Sequence, residues 1–394
     1  MRILVLSYLF PNGREPIKGK FVYEQLAALP RQTSILVIAP IPFAPTTHRW
    51  RGIPVYERIA NMTVCHPRFF ALPGNKFQWI TGIFYALAVV LLGLHVRRTY
   101  RPDVIHAHTT FYDGLPGAVL SRLTRTRLIV TAHGSDMRFW TNFLPIRAFT
   151  AYVLKQASKV VSPHPEVTRI LASWVDSERI VEIPNGVDTR KYNVLEPEAI
   201  SALRRSLRLS QTTVVFVAGL TEFKDPITFV RAAALVQKEV PEASFVVVGD
   251  GPLRTAVQRE SKSLRLCDRI IFLGLRTDVE KLLHLGRIFT ALSPVENLWS
   301  TSLVEAMAAG RACVVAESGT AREMRGNLDQ LFVFVRPKDA EAVARAIVQL
   351  IRNPEQQLRI GAAAREYACT HFALESVSRR VMCLYVDAVA QNSD

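Results

Sequence analysis

Short apolar runs alternate with longer amphipathic segments along the first half of the chain. The short runs predict strands at 3–7, 34–39, 104–107, 128–131 and 159–162. The longer segments predict helices at 21–29, 77–100, 115–123, 144–156 and 166–172. Because the apolar runs lack polar alternation, the strands are expected to be buried on both faces, as in a parallel sheet covered by helices on each side.

The same alternation starts again after Asp188. New strands are predicted at 214–218, 244–248, 270–272, 288–291 and 312–315. New helices are predicted at 226–240, 253–263 and 279–285. A chain of 394 residues is also too long for one ordinary domain. The predicted fold class is α/β, with two facing Rossmann-like doubly wound domains and a cleft between them, where ligands bind at the carboxyl ends of the strands.

The segment 80–96 has no charged residue apart from His95, and Arg97, Arg98 and Arg101 follow it. Its length approaches the lower limit for a membrane span. However, it contains two glycines and leads directly into a predicted strand. The pattern favours a helix packed on the sheet, with docking of this helix on a membrane surface as a second hypothesis.

The net charge of +15 is unevenly placed, because residues 1–190 contain 23 Lys/Arg and 11 Asp/Glu whereas the remaining residues contain 26 and 23. A basic first half indicates an acidic partner, such as anionic lipid headgroups, a phosphorylated acceptor or nucleic acid. No nucleic-acid motif accompanies the charge, so nucleic acid is not expected as a partner. A generally solvated basic surface is the simpler alternative.

The five cysteines are scattered and form no CxxC pair. They predict reduced thiols in a cytosolic protein, without a zinc site or a disulfide framework. The apolar N-terminus is short and runs directly into Pro11, which favours a buried first strand over a signal peptide.

Residues 293–310 join a polar loop to a short apolar segment. Glu296 and Glu305 bracket a run of hydroxyl residues. The hydroxyl residues are Ser300, Thr301 and Ser302. A loop that enters a helix offers free backbone N–H groups and a partial positive charge, which suit a phosphate. The spacing of Ser302 and Glu305 also fits a capping box, in which the glutamate only closes its own helix.

Two further turns in the second half follow predicted strands. Lys224 stands beside a helix start at which Pro226 suits the first helical position and Asp225 suits the cap, so Lys224 is a candidate phosphate contact. Gly249 and Gly251 permit either a close backbone approach to a ligand or a plain tight turn.

The candidate residues of the first half also follow strands. Gly19 ends a polar loop after the first strand, and the spacing of its glycines does not match a dinucleotide fingerprint. His106 and His108 alternate along one strand and would share a face. They are expected to be structural or to line the cleft, since too few other ligands accompany them for a metal site. His133 ends the next strand, and Asp136 would cap the following turn or bind substrate.

In their order and spacing, these motifs resemble the glycogen-synthase-like family of retaining glycosyltransferases, which share the GT-B fold. The resemblance covers nearly the whole chain. The matching stretches are 103–108, 133–136, 183–188, Lys224, 249–252 and 305–310. It implies an acceptor-binding domain at 1–188, a nucleotide-sugar-binding domain at 189–371, and a helix at 372–394 that crosses back to the first domain.

The resemblance also implies roles for single residues. His133 would lie beside the transferring sugar, Lys224 would contact the donor diphosphate, Glu296 would contact the sugar and its reacting face, and Glu305 would bind the ribose. The residues Gly249, Gly251, Ser300, Thr301 and Ser302 would complete the donor site. The acceptor-side residues would be Gly19, His108 and Asp136.

The expected function is that of a metal-independent retaining hexosyltransferase without a cofactor. It would move a sugar from a UDP- or GDP-sugar to a lipid-linked or glycan acceptor, in the cytoplasm or peripherally on an anionic inner membrane face. Two departures from the family pattern support an alternative, a non-catalytic nucleotide-sugar-binding or assembly protein. Gly219 stands where the family has a phosphate-binding Arg, and Glu296 and Glu305 are nine positions apart instead of eight.

Overall fold

The computed structural model describes residues 1–43, 50–72, 74, 77–193, 196–295, 298–317 and 319–390. It divides the chain into two compact units. Unit 1 comprises Met1–Gly186 with Leu374–Asp394, and unit 2 comprises Val187–Ala373. The last helix therefore belongs to the first unit, although the whole second unit precedes it in the sequence.

Unit 1 is built on a mainly parallel sheet. Its strands are β1 (Arg2–Leu6), β2 (Ser34–Ile38), β3 (Ile41–Phe43), β4 (Tyr56–Ile59), β5 (Met62–Cys65), β6 (Arg68–Phe70), β7 (Val104–Ala107), β8 (Arg127–Thr131), β9 (Lys159–Ser162) and β10 (Ile180–Glu182). Eight of them pair in the order β10-β9-β8-β7-β1-β2-β5-β4, and β3 pairs with β6. Only β4 and β5 are antiparallel among these pairs of described strands.

Helices cover both faces of this sheet. They are α1 (Lys20–Ala27), α2 (Gln78–Tyr100), α3 (Gly114–Thr124), α4 (Ser135–Arg138), α5 (Leu144–Gln156), α6 (Pro165–Ala172) and, at the end of the chain, α15 (Leu374–Ala390). In β1, Ile3 and Val5 pack with α1 and α15 on one face. Leu4 and Leu6 pack with α2, α3 and α5 on the other face. Burial of both faces explains why the strands are continuously apolar.

Unit 2 contains one six-stranded parallel sheet among its described residues. Its strands are β11 (Thr213–Val217), β12 (Ser244–Val248), β13 (Ile270–Gly274), β14 (Ile288–Ala291), β15 (Ala312–Ala316) and β16 (Phe332–Val335). Their order is β13-β12-β11-β14-β15-β16. The chain therefore winds outwards from β11 in one direction and then from β14 in the other, which places a topological switch point between these two strands.

Eight helices of the described chain belong to unit 2. They are α7 (Pro197–Ser206), α8 (Pro226–Glu239), α9 (Arg254–Ser263), α10 (Val279–Leu283), α11 (Thr301–Ala308), α12 (Thr320–Met324), α13 (Ala340–Arg352) and α14 (Pro354–His371). The α/β fold class is confirmed. In unit 2 the pattern missed β16, α7 and the three helices from α12 to α14. In unit 1 it missed the short elements β3, β6, β10 and α4, and it gave no sign of the β4–β5 hairpin, whose β4 residues alternate between exposed and half-buried.

Candidate functional site

A pocket lies at the switch point of unit 2, at the carboxyl ends of β11, β14 and β15. The pocket is open to solvent, and its volume, counted together with the solvent at its mouth, is about 410 Å³. Its polar lining comprises Lys224, Thr290, Ser293, Ser300 and Ser302. Apolar strand and helix residues form the rest of the wall. A concave site with few polar groups at a switch point is the usual position of a ligand in such sheets.

The start of α11 supplies one side of this pocket. Ser300 is the N-cap residue, and its carbonyl oxygen accepts the amide hydrogen of Val304 at 3.0 Å. The first amide groups of a helix have no acceptor within the helix, and they carry the positive end of its dipole. The pocket therefore combines backbone N–H groups and the hydroxyls of Ser300 and Ser302 beside Lys224, an arrangement that suits a diphosphate.

The capping-box interpretation of Ser302 and Glu305 is wrong. Ser302 is the second residue of α11, not its cap, and no side chain caps the helix. Glu305 therefore lies at the fifth helical position, too far along for a capping-box glutamate. It is 7% exposed and does not line the pocket.

Local hydrogen bonds hold Lys224 at the pocket. Lys224 ends a 3-10 turn, and Asp225 follows it with φ 51° and accepts a bond from the amide of Thr228. Pro226 takes the first position of α8. The predicted cap and helix start are confirmed, and they fix the backbone on which Lys224 stands.

The turn that contains Gly249 and Gly251 packs against the backbone of Ala218, a pocket residue, and of Leu220. A Cβ atom on Gly249 would lie 1.9 Å from the carbonyl oxygen of Ala218, and one on Gly251 would lie 2.5 Å from that of Leu220. The amide of Leu220 also bonds to the carbonyl of Asp250 at 3.0 Å. The glycines thus permit two backbone turns to pack together, and neither of them lines the pocket.

The remaining donor-side candidates have mixed positions. Thr301 begins α11 but does not line the pocket, and Glu296 lies outside the described residues. Thr290 was missed by sequence reasoning. It is a buried pocket residue whose hydroxyl has no hydrogen-bond partner within the described chain. Its place at the end of β14 was the signal that could have identified it.

In unit 1, four histidines gather at the carboxyl ends of β7, β8 and β9. The ring of His108 lies 4.2 Å from that of His106 and is stacked at 5.8 Å on that of His133. His106 bonds to the hydroxyls of Tyr385 and Thr131 at 2.7 and 2.8 Å. Both of its ring nitrogens are occupied, so His106 is structural.

The other histidines keep free ring nitrogens. Neither buried ring nitrogen of His108 or of His133 has a hydrogen-bond partner among the described residues, and the same holds for Nδ1 of His164. Such orphaned polar atoms are rare in protein interiors and call for a functional explanation. His164 follows β9. The rule that side chains at the carboxyl ends of strands line a site, which identified His108 and His133, applies to His164 as well.

Burial keeps these histidines uncharged. It lowers the pKa of His133 to about 3, with a smaller effect from His164. Burial likewise lowers the pKa of His164 to about 4, and it holds the pKa of His108 well below the ordinary value. Near neutral pH, His133 is therefore a hydrogen-bonding group and not a cation.

Asp136 and Gly19 have structural contacts. The carboxylate of Asp136 accepts bonds from the amides of Thr110 and Gly134, both at 2.9 Å, and so ties together the loops after β7 and β8. This geometry favours the capping alternative. Gly19 precedes α1 with φ 62°, and a Cβ there would lie 2.1 Å from the carbonyl oxygen of Leu9.

Sequence reasoning missed Asp113, a fully buried carboxyl group of unit 1 with several hydrogen-bond partners. It accepts bonds from the amide of Tyr8 and the hydroxyls of Tyr85 and Thr109. Burial raises its pKa to about 7. These contacts join β1, α2 and α3, and no local pattern marks them.

Two family models together match most of the chain. The Glycosyltransferase Family 4 model matches residues 19–191, and the model of glycosyl transferases group 1 matches residues 201–367. The chain belongs to the GT-B glycosyltransferases.

The relatives of this glycosyltransferase include enzymes that are named for different substrates. It is 23% identical over 335 residues to the N-acetyl-alpha-D-glucosaminyl L-malate synthase of Bacillus anthracis, covering 83% of this chain and 85% of the relative. It is 25% identical over 404 residues to the GDP-mannose-dependent alpha-(1-6)-phosphatidylinositol monomannoside mannosyltransferase of Mycobacterium tuberculosis, covering 96% and 97%.

A solved structure shares the whole fold of this glycosyltransferase. Anabaena HepE, crystallised in complex with UDP, superposes with a TM-score of 0.75 at 20% identity, covering 98% of this chain and 100% of HepE. The two-unit α/β architecture predicted from the sequence is therefore the GT-B fold.

Among the described residues, no group of three or more His, Cys, Asp or Glu is arranged to hold a metal ion. The pocket of unit 2 instead offers a lysine, hydroxyls and backbone amides. A lysine, hydroxyls and the first amides of a helix suit a diphosphate.

Proposed function

We propose that this glycosyltransferase is a retaining hexosyltransferase that needs neither a metal nor a cofactor. It moves a sugar from a UDP- or GDP-sugar to a lipid-linked or glycan acceptor in polysaccharide or glycoconjugate synthesis. The observation that carries the proposal is the switch-point pocket, in which Lys224 lies beside the amino end of α11.

The chemistry asks for such a pocket. When the bond between the anomeric carbon and the diphosphate oxygen breaks, positive charge develops on the sugar and negative charge on the leaving diphosphate. Lys224 and the amides of α11 stabilise the leaving group, since fixed donors aimed at developing charge lower the barrier most effectively. The acceptor hydroxyl loses its proton to the departing phosphate as the new glycosidic bond forms.

His133 takes the sugar-facing role that the family resemblance implies. Its low pKa supports a neutral imidazole that exchanges hydrogen bonds with a sugar hydroxyl and does not act as a general acid. His108 is proposed for the acceptor side, where Asp136 holds the loops after β7 and β8 in place. Gly19 shapes the loop there.

The proposed nucleoside of the donor is uridine or guanosine. The mycobacterial relative is named for GDP-mannose, and the HepE crystals contain UDP. Both relationships are distant, so the experiment must compare UDP-glucose, UDP-galactose, UDP-N-acetylglucosamine and GDP-mannose directly.

The decisive variant is Lys224→Met. Loss of a charge-assisted donor to the leaving group is expected to lower kcat/KM about 100- to 1,000-fold with whichever donor is active. The control is Lys238→Met, which removes an equal charge from the exposed last turn of α8. Equal activity of Lys224→Met and wild type would exclude Lys224 as a diphosphate ligand. If the wild-type protein binds a nucleotide-sugar but transfers its sugar to no acceptor, the result would support the non-catalytic alternative.

Stereochemistry and metal independence need separate measurements. The anomeric coupling constant of the product is expected to show the configuration of the donor, and EDTA is expected to leave the rate unchanged. An inverted product, or a rate restored only by Mg²⁺ or Mn²⁺, would contradict the proposal.

We further propose a cytoplasmic protein that docks on the inner membrane face through α2. By length and composition α2 could cross a membrane, but one of its faces is buried against unit 1. Gly82 and Gly93 lie on that face and pack against Phe111 and Leu120 of the unit. The opposite face exposes Phe84, Leu87 and Leu91. A half-buried helix with an apolar outer face suits surface docking.

A further inference from the structure

A groove on unit 2 lies away from the donor pocket and carries three arginines. Arg204 comes from α7, Arg287 immediately precedes β14, and Arg311 immediately precedes β15. His284, at the end of α10, also lines the groove, which has a volume of about 990 Å³ open to solvent. We call it the arginine groove.

The charges of the arginine groove are uncompensated. Its lining contains no Asp or Glu, and none of its three arginines is ion-paired within the described chain. Arg311 is held in place by bonds to the carbonyl oxygens of Ala309 and Gly286, at 2.7 and 3.0 Å. Burial, with a smaller effect from Arg287, lowers the pKa of Arg311 to about 10, so it remains charged near neutral pH.

One hydrogen-bond donor is also unused there. Arg204 donates from Nη2 to the carbonyl of Leu285 at 3.0 Å, but its buried Nε has no partner among the described residues. A buried charge or polar atom without a partner is costly, and an anionic ligand would remove that cost.

We propose that the arginine groove is a second ligand site of this protein, specific for the phosphate group of a small phosphorylated compound. Three neighbouring guanidinium groups suit a phosphate better than a single carboxylate, because a phosphate can accept several charge-assisted bonds at once. Pro197, Ile200 and Leu358 form an apolar wall beside the arginines, against which the organic part of the ligand packs.

The groove is separate from the donor pocket. Arg287 and Arg311 lie at the amino ends of β14 and β15, whereas the donor pocket lies at the carboxyl ends of the same strands. Strands of four and five residues separate the two sites by roughly 13–17 Å. A small phosphorylated compound in the groove therefore leaves the donor pocket unfilled.

The test is isothermal titration calorimetry with inorganic pyrophosphate as the probe and succinate as a dianion without phosphate, at constant ionic strength. All proteins carry Lys224→Met, which removes the donor-pocket lysine so that the remaining affinity reports the groove. Arg287→Gln and Arg204→Gln are each expected to weaken pyrophosphate binding at least tenfold. Arg287 is exposed, so its replacement should leave the unfolding midpoint unchanged.

The matched control is Arg259→Gln, which removes an exposed arginine from α9 elsewhere on unit 2. It should bind pyrophosphate within twofold of its parent. The proposal is overturned if both groove variants bind as the parent does, if the control weakens binding equally, or if succinate binds as tightly as pyrophosphate.

Discussion

At the scale of single residues, the histidines of unit 1 make its stability depend on pH. Burial lowers the native pKa values of His106 and His133 to about 3 and that of His164 to about 4, while an unfolded histidine has a pKa of about 6.5. Between these values the unfolded chain binds more protons than the native chain. The stabilisation is therefore complete above about pH 6.5 and is lost as the pH falls through 4 towards 3.

The replacement His108→Phe tests this pH dependence. Each buried neutral histidine contributes up to about 1.4 kcal/mol per pH unit to the slope of the unfolding free energy in that window. We expect the slope, measured by urea unfolding at pH 7, 6 and 5, to fall by about one proton in His108→Phe. The matched comparison is His95→Phe, which replaces an exposed histidine of α2.

The slope of a variant must be compared with that of wild type, because Asp113 changes the unfolding free energy with pH in the direction opposite to the histidines. Its pKa is raised to about 7, so the native carboxyl group holds a proton that the unfolded chain loses at lower pH, and its stabilisation fades as the pH rises. Identical slopes in His108→Phe and wild type would mean that His108 titrates normally in the folded protein.

Residue types at strand ends identified several residues of the pocket, whereas only one of the two capping patterns, that of Asp225 and Pro226, was correct. Lys224, Ser300 and Ser302 meet in one pocket because parallel strands end at the same edge of a sheet. Ser302 and Glu305 fit a capping box in sequence, yet α11 begins at Thr301. The first residue of a helix depends on the path of the loop that precedes it. A short capping motif does not determine that path.

At the scale of elements, two adjoining turns of unit 2 differ in their need for glycine. Gly249 has φ 133° and no room for a Cβ atom, whereas Gly219 does not lie in the left-handed region and has no heavy atom closer than 3.8 Å to a built Cβ. Gly249→Ala should therefore cost about 2–4 kcal/mol of unfolding free energy, through overpacking and backbone strain.

The neighbouring replacement Gly219→Ala is the matched control. It should leave the unfolding free energy unchanged or raise it by about 0.4–1 kcal/mol, because alanine restricts the unfolded chain without straining the native turn. Urea unfolding of both variants checks the pair. Equal destabilisation by the two replacements would show that the turns do not pack as closely as the glycine contacts indicate.

Helices and strands were predictable where both faces of the sheet are buried. All ten predicted strands occur, because a continuous apolar run in a parallel sheet is a strong signal. The β4–β5 hairpin lies at the sheet edge and is partly solvated, so its apolar pattern is too weak to predict a strand. The bond between His106 and Tyr385 joins residues 279 positions apart, and only the folded chain brings them together.

At the scale of the whole molecule, the exposed face of α2 is the feature on which the proposed membrane docking rests. Its side chains Leu87 and Leu91 are 55% and 61% exposed, on the face opposite to Tyr85 and Val89. Arg97 and Arg98 follow in the last turn. Apolar side chains that enter the headgroup region, with basic residues beside them, would bind an anionic bilayer more tightly than a neutral one.

The double variant Leu87→Gln/Leu91→Gln removes the apolar contribution and keeps the charge. Burial of a leucine contributes about 1.5–3 kcal/mol, so even half-insertion of both side chains predicts at least a tenfold loss of partitioning into phosphatidylcholine/phosphatidylglycerol vesicles. The control Leu275→Gln/Val386→Gln changes two exposed apolar residues on β13–α10 and α15 and should partition as wild type does. If the α2 variant also partitions as wild type, or if wild type pellets equally with neutral vesicles, α2 does not dock the protein on an anionic membrane.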